Sequence, residues 1–192
     1  MVTIGIVIFP NVEELDFVAP FEVLNYINKV QPNSTNVLLI APRLEPVRAF
    51  NGLKILPDVT FEQCPTLDIL LFPGGKGRIT WMKEASMQNF IHQHISELTY
   101  VTSVCTGAFF LAEANLLSGK KATTYHTAFD ELAAYGVHVV SSKVVQEGKI
   151  ITAAGVSSGL ELGFYLLREL FGVALAQEVA DKIEYKIDVA HL

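Results

Sequence analysis

Short apolar runs alternate with stretches of helical spacing along most of this chain. The apolar runs lie at residues 3–9, 36–41, 68–72, 100–104 and 149–153, and the helical stretches at residues 13–27, 86–98, 128–135, 160–170 and 174–185. Strands that are apolar on both faces belong to parallel sheets with helices on both sides. The pattern predicts an α/β fold, a flavodoxin-like parallel sheet with helices on both faces, in one domain spanning residues 1–192.

Two connections carry specific turn signals. Residues 47–56 read as a hairpin that turns at Asn51-Gly52, a pair typical of a type I′ turn. Residues 137–145 and 149–153 read as two strands joined around Glu147-Gly148. We therefore expect a hairpin at the first place and two strands at the second.

Charge and apolar content exclude several classes of protein. The net charge is -6, and no cluster of Lys and Arg forms a basic surface, so nucleic acid and anionic membranes are not expected partners. No apolar run approaches the roughly 20 residues of a membrane span. The chain starts without a basic, cleavable leader, which predicts a cytoplasmic protein. Its two cysteines, Cys64 and Cys105, are expected to be free thiols.

Cys105 marks the point where an apolar strand changes into a helix. Residues 100–104 form the strand, and helical spacing continues to about Leu117. This arrangement is typical of a nucleophile elbow with cysteine in place of serine. A helix start beneath the sulfur is expected to favour the thiolate. An inert buried cysteine is the open alternative, because free cysteines are often buried.

Two other predicted strands also end in unusual residues. Asp16 follows the first strand, and Gly74-Gly75 follow the strand at residues 68–72. The active sites of such sheets lie at the carboxyl ends of the strands, so these residues are expected near Cys105. Asp16 also fits a charge in the first turn of a helix, and Gly74-Gly75 also fit an ordinary tight turn.

Five segments resemble the ThiJ/PfpI superfamily, which has the class-I glutamine-amidotransferase-like sandwich fold. They are residues 14–24 (ELDFVAPFEVL), 71–75 (LFPGG), 103–108 (SVCTGA), 119–124 (GKKATT) and 152–159 (TAAGVSSG). Within the superfamily the chain is most similar to the isonitrile hydratases. The similarity rests on its Asp at position 16, the CTGA of residues 105–108 and the segment at residues 155–159. That resemblance covers nearly the whole chain.

The resemblance implies a role for each site residue. Cys105 is the implied nucleophile, Asp16 the acid and base, and Thr106 an assisting hydroxyl. Gly74 and Gly75 are expected to bind the substrate, with the Gly75 and Thr106 N–H groups forming an anion hole. The related proteases and deglycases carry a histidine after the Thr-Thr pair, where this chain has Tyr125. If this stretch is extended, adjacent side chains point to opposite faces, so we expect Tyr125 to face the cysteine and His126 to point away from it.

The implied function is hydration of a small isonitrile to an N-substituted formamide through a Cys105 thioimidate, without a cofactor or a metal, in a homodimer. Other activities of the superfamily that use the same thiol remain open, namely a deglycase, glyoxalase, amidase or protease. A redox sensor, ligand sensor or chaperone remains open as well. Turnover of an isonitrile, compared with turnover of methylglyoxal, separates these alternatives.

Overall fold

The computed structural model describes all 192 residues. Its strands are β1 (Val2–Val7), β2 (Thr35–Ala41), β3 (Val47–Arg48), β4 (Lys54–Ile55), β5 (Val59–Thr60), β6 (Ile69–Phe72), β7 (Tyr100–Val104), β8 (Lys121–Ala122), β9 (His138–Val139), β10 (Val144–Glu147) and β11 (Ile150–Ala153). Its helices are α1 (Glu14–Tyr26), α2 (Arg78–Trp81), α3 (Ala85–His94), α4 (Ala108–Glu113), α5 (Phe129–Ala133), α6 (Ser158–Phe171) and α7 (Val173–Lys182).

The central sheet has seven strands in the order β10-β11-β7-β6-β1-β2-β5, and only β10 is antiparallel. Its five longest parallel segments run β2-β1-β6-β7-β11, which is the flavodoxin-like order. All four residues of β6 and all four of β11 are buried. The predicted fold class is thus confirmed, and the continuous apolar runs are explained by burial on both faces.

The helices lie in two layers because the connections between strands run in two directions across the sheet. The connection from β1 to β2 runs towards one edge of the sheet, and the connection from β6 to β7 runs towards the other edge. Right-handed crossovers therefore place α1 on one face and α3 on the other. α6 returns to the face of α1 and packs against both α1 and α7. Gly163 allows this close approach, because a Cβ there would lie 2.9 Å from Val23.

Several local predictions were wrong. The first hairpin is not closed by a type I′ turn, since only Gly52 of its central pair has a positive φ. Residues 137–145 are not one strand: β9 pairs in parallel with β8 in a separate small sheet, and β10 pairs with β11. The helix after Cys105 ends at Glu113 rather than near Leu117. β5 and α2 were not predicted, because two and four residues are too short for a periodic signal.

No helix is long and apolar enough to cross a membrane.

Candidate active site

A cleft of about 370 Å³ opens at the carboxyl ends of β1, β6 and β7. The order of the strands reverses between β1 and β6, and ligands of open α/β sheets bind at such a switch point. The cleft is lined by Glu13, Phe50, Gly75, Lys76, Arg78, Ile79, Cys105, Thr106, Tyr125 and Val156. Of the site residues predicted from sequence, Gly75, Cys105, Thr106 and Tyr125 line it directly.

Cys105 occupies a strained turn between β7 and α4. Its φ of 57° is in the left-handed region, which residues other than glycine seldom adopt. Two hydrogen bonds hold the turn: the Cys105 N–H donates to the Ala154 carbonyl at 2.7 Å, and the Thr124 hydroxyl donates to the Cys105 carbonyl at 2.8 Å. Gly107 is required next, because a Cβ there would lie 1.9 Å from the Phe72 carbonyl oxygen. The predicted elbow is therefore present.

Asp16 is fully buried in the first turn of α1, beside the cysteine. Its Oδ2 accepts a hydrogen bond from the Gly74 N–H at 2.8 Å, whereas its Oδ1 has no hydrogen-bond partner. The carboxyl and the Cys105 thiol shift each other's pKa, although no hydrogen bond of good geometry joins them. Oδ1 is thus available to accept a proton from the thiol.

Burial raises the pKa of Asp16 to about 7, and the nearby Glu13 carboxyl adds to this rise. The hydrogen bond from Gly74 acts in the opposite direction, since it favours the ionised form. Both protonation states of Asp16 are therefore populated near neutral pH. A carboxyl with this property can act as a base in one step and as an acid in the next.

Burial and the negative charge of Asp16 raise the pKa of Cys105 to about 12. The prediction that a helix start favours the Cys105 thiolate is therefore wrong while Asp16 is ionised. α4 has only six residues and follows a 3₁₀ turn, so its dipole is weak beside these two effects. When Asp16 takes up a proton, its contribution disappears. The two groups therefore act as a pair that carries one negative charge between them.

The glycines after β6 hold other site residues rather than an anion. The Gly74 N–H is used by Asp16, and the Gly75 N–H donates to the Thr106 hydroxyl oxygen at 3.1 Å. The predicted anion hole containing the Gly75 N–H is therefore wrong. The N–H groups of Thr106 and Val156 instead interact with the Cys105 sulfur and lower the pKa of the thiol. Neither N–H donates to another backbone acceptor, so both are free to stabilise a thiolate.

One known protein family matches most of this chain. Residues 2–169 match the model of the DJ-1/PfpI family. The chain belongs to the DJ-1/PfpI family. It is 39% identical to an isonitrile hydratase from Pseudomonas putida over 95% of this chain and 78% of that protein. It is 23% identical to a glutathione-independent glyoxalase from Caenorhabditis elegans over 71% of this chain and 74% of that protein.

A solved structure confirms the fold of the family. The crystal structure of a ThiJ/PfpI family protein from Pseudomonas syringae superimposes with a TM-score of 0.90 at 31% identity, over 97% of this chain and 76% of the other. The resemblance to the superfamily seen in the sequence is thus confirmed. The relatives of this chain include an isonitrile hydratase and a glyoxalase, so membership of the family does not by itself fix the reaction.

Tyr125 and His126 diverge as expected from the sequence. Tyr125 lines the cysteine cleft, and its hydroxyl makes no hydrogen bond within the chain. His126 starts a 3₁₀ turn, is exposed, and lines a neighbouring cavity instead of the cleft. The premise of an extended stretch was only partly right, since β8 ends at Ala122. The outcome for the two side chains is nevertheless the one predicted.

Replacing His126 is expected to have a small effect. His126→Ala should lower kcat/KM on cyclohexyl isocyanide by less than about tenfold, because the imidazole lies outside the cysteine cleft. Tyr125→Phe should change KM more than kcat, because its free hydroxyl can orient the substrate without moving a proton. Steady-state kinetics of both variants test this. A loss of several orders of magnitude in folded His126→Ala would indicate a Cys-His mechanism.

The sequence did not indicate the other six residues of the cleft, among them Glu13, Arg78 and Val156. Val156 supplies a donor from a loop 51 residues after Cys105, and nothing local marks it. Arg78 is buried, donates to both carboxylate oxygens of Glu131 at 2.7 and 2.6 Å, and lies 3.9 Å from the centre of the Phe109 ring. Burial raises the pKa of Glu13, with repulsion from Glu14 adding to it. Only Glu13 could have been suspected, from its closeness to Asp16 in the chain.

Proposed function

We propose that this protein adds water to an isonitrile, R–N≡C, and releases the N-substituted formamide R–NH–CHO. The observation that carries the proposal is the buried Asp16 carboxyl, with its pKa of about 7 and an unpartnered Oδ1, beside Cys105. The 39% identity to an isonitrile hydratase supports the same reaction. In the proposed mechanism the chemical steps use only groups of the protein and water.

The first step joins the Cys105 sulfur to the terminal carbon of the isonitrile. The Asp16 carboxylate takes the thiol proton as the sulfur attacks, and then delivers that proton to the same carbon. The S–H bond breaks, C–S and C–H bonds form, and the product is the thioimidate R–N=CH–S–Cys105. No oxidant or reductant is required, because the carbon gains a nucleophile and a proton.

The shared charge of the pair makes this step feasible. A thiolate that is buried and lies beside an ionised Asp16 is disfavoured, and both causes together raise the pKa of Cys105 to about 12. Transfer of the proton to Asp16 removes the neighbouring charge as the sulfur becomes nucleophilic. The Thr106 and Val156 N–H groups then stabilise the sulfur during attack.

The second step releases the product with water. Asp16, again ionised, takes a proton from a water molecule that attacks the thioimidate carbon and passes that proton to the nitrogen, which gives the tetrahedral intermediate R–NH–CH(OH)–S–Cys105. The C–S bond then breaks as the hydroxyl oxygen becomes the formamide carbonyl, and the hydroxyl proton passes through Asp16 to the Cys105 sulfur. The Thr106 hydroxyl accepts the Gly75 N–H, so its own proton is available to assist the attacking water or the nitrogen.

A pair of substrates separates this proposal from the other activities of the family. Cyclohexyl isocyanide and methylglyoxal are incubated separately with the protein, and products are followed by NMR against enzyme-free samples. We expect N-cyclohexylformamide from the first and no conversion of methylglyoxal above background. Conversion of methylglyoxal alone would indicate a glyoxalase or deglycase. Conversion of neither would favour a sensor or chaperone.

A further inference from the structure

A second cavity of about 470 Å³ lies directly beside the cysteine cleft. Tyr125 and Val156 line both spaces, so a ligand bound at Cys105 can extend into the second cavity without leaving the protein surface. Pockets of several hundred cubic ångströms suit ligands much larger than a six-carbon isonitrile. The cavity therefore has room for a substrate tail that the proposed reaction does not itself require.

The lining of this cavity is basic and rich in hydroxyl groups. Lys143 and His126 are its basic side chains, and no carboxylate lines it. Four serines line it as well: Ser141, Ser142, Ser157 and Ser158. With one lysine and no carboxylate in its lining, the cavity offers an anion a cationic partner and no direct like-charge contact.

Ser158 is an unsatisfied donor in this lining. The residue is 1% exposed, and its hydroxyl has no hydrogen-bond partner. A buried polar group without a partner is costly, so such a hydroxyl is suited to a ligand that accepts a hydrogen bond. Ser158 is also the first residue of α6, a helix of 14 residues whose first turn already holds the Glu161 carboxylate. The unpartnered hydroxyl, rather than the helix start, therefore favours a ligand that accepts a hydrogen bond.

Lys143 can reach an anion in this cavity. Its Nζ lies 3.7 Å from Glu161 Oε1, which is an ion pair without a close hydrogen bond, and its side chain is 61% exposed. Glu161 itself does not line the cavity. The ammonium donors are therefore free to turn towards a ligand. Phe129 and Tyr125 add aromatic surface to the lining, and Tyr125 also lines the cleft.

We infer that this cavity is an anion subsite that holds a carboxylate on the tail of the substrate. The inference rests on the proposed function, and it specifies the substrate class as an aliphatic isonitrile with a terminal carboxylate. Lys143 supplies the charge, Ser158 a hydrogen bond, and the aromatic walls hold the alkyl linker. Cys105 and Asp16 act on the other end of the same molecule.

Binding of unreactive probes tests the subsite without turnover. The probes are N-formyl-4-aminobutanoate and N-formyl-6-aminohexanoate, each compared with its methyl ester by calorimetry. We expect at least one acid to bind about tenfold or more tightly than its ester. The ratio of the ester's Kd to the acid's Kd measures this preference, and in Lys143→Met it should fall close to one. Lys182→Met is the matched control, because Lys182 also lies 3.7 Å from a glutamate oxygen but on α7, away from the cavity, and this variant should keep the ratio.

Three results would overturn the subsite. They are equal affinity of acid and ester in the unmodified protein, an equal fall of the ratio in Lys143→Met and Lys182→Met, and no measurable binding of any probe at millimolar concentration.

Ser158→Ala removes a hydroxyl that has no partner in the protein, so the fold should be kept. We expect it to lower the ratio by about tenfold, the lower end of what the loss of a hydrogen bond to a charged group costs.

Turnover separates this inference from the proposed function. The corresponding isocyanoalkanoates and their methyl esters are compared with cyclohexyl isocyanide as substrates. A higher kcat/KM for an acid than for its ester supports the subsite. Hydration of cyclohexyl isocyanide without any preference for the acids would refute the subsite and leave the reaction standing. Hydration of no isonitrile would refute the reaction, and the binding ratio would then decide the subsite alone.

Discussion

Cys105→Ser is expected to reduce kcat on cyclohexyl isocyanide by at least about 10⁴-fold, the scale on which loss of a nucleophile abolishes catalysis. The hydroxyl is nearly the same size as the thiol, but it gives up its proton far less readily than sulfur does. Asp16, with a pKa of about 7, cannot deprotonate it to a useful extent. The thioimidate then does not form.

Folding and the second cysteine supply the controls for this variant. Cys105 is 6% exposed and its turn is held by backbone atoms, so serine should preserve the fold. Cys64, which is half-buried outside the cleft, provides the matched control Cys64→Ser, and this variant should keep its activity. The nucleophile assignment is wrong if folded Cys105→Ser retains more than about one hundredth of the turnover.

Asp16→Asn is expected to slow turnover by about 100-fold or more, because the amide can neither take the thiol proton nor return it. Asp58→Asn is a matched control. Asp58 also accepts one backbone N–H, from Leu39 at 2.7 Å, but it lies outside the cleft. Near-normal kcat in folded Asp16→Asn would make Asp16 a structural residue of the helix start.

The same substitution has a stability effect of defined sign. The Asp16 pKa rises from 3.8 to about 7 on folding. Between these values the folded protein keeps a proton that the unfolded chain releases, so stability falls as pH rises through this window. The cost at pH 8 is at most about 4 kcal/mol. Asparagine does not ionise and does not incur it.

Relative to the unmodified protein, Asp16→Asn should therefore gain stability between pH 4 and pH 8, by about 4 kcal/mol. The absolute difference at either pH also contains the cost of burying the amide, so the change with pH is the quantity to compare. Urea unfolding of both proteins at the two pH values measures it. A difference that stays constant with pH would mean that Asp16 ionises in the folded protein as readily as in the unfolded chain.

The order of the elements and the elbow could be predicted because their signals are local. The strand at residues 100–104 is apolar on both faces, and the following Thr106 and Gly107 suit a sharp turn. Asp16 could be assigned to the same place because the carboxyl ends of neighbouring parallel strands meet at one edge. The positions of these residues required only the sequence pattern and the rules of α/β sheets, whereas the catalytic role of Asp16 required the resemblance to the superfamily as well.

The electrostatics of the site could not be predicted in the same way. The pKa of Cys105 depends on its depth of burial and on the charge of Asp16, and both outweigh the short helix beneath it. The Gly75 N–H was expected to face an anion, but the Thr106 hydroxyl lies close enough to use it. Val156 joins the site only because β11 lies next to β7. Each of these facts depends on contacts between distant parts of the chain.

The pH dependence of kcat/KM tests most directly the claim that Cys105 and Asp16 share one negative charge. The reactive form of the free enzyme has lost one proton from the pair, and that proton leaves with an apparent pKa of about 7, the value set by Asp16. Activity on cyclohexyl isocyanide should therefore rise with pH through about 7 and reach a plateau by about pH 9. A profile that is flat from pH 5 to pH 9, or one with its midpoint near 4, would contradict the account.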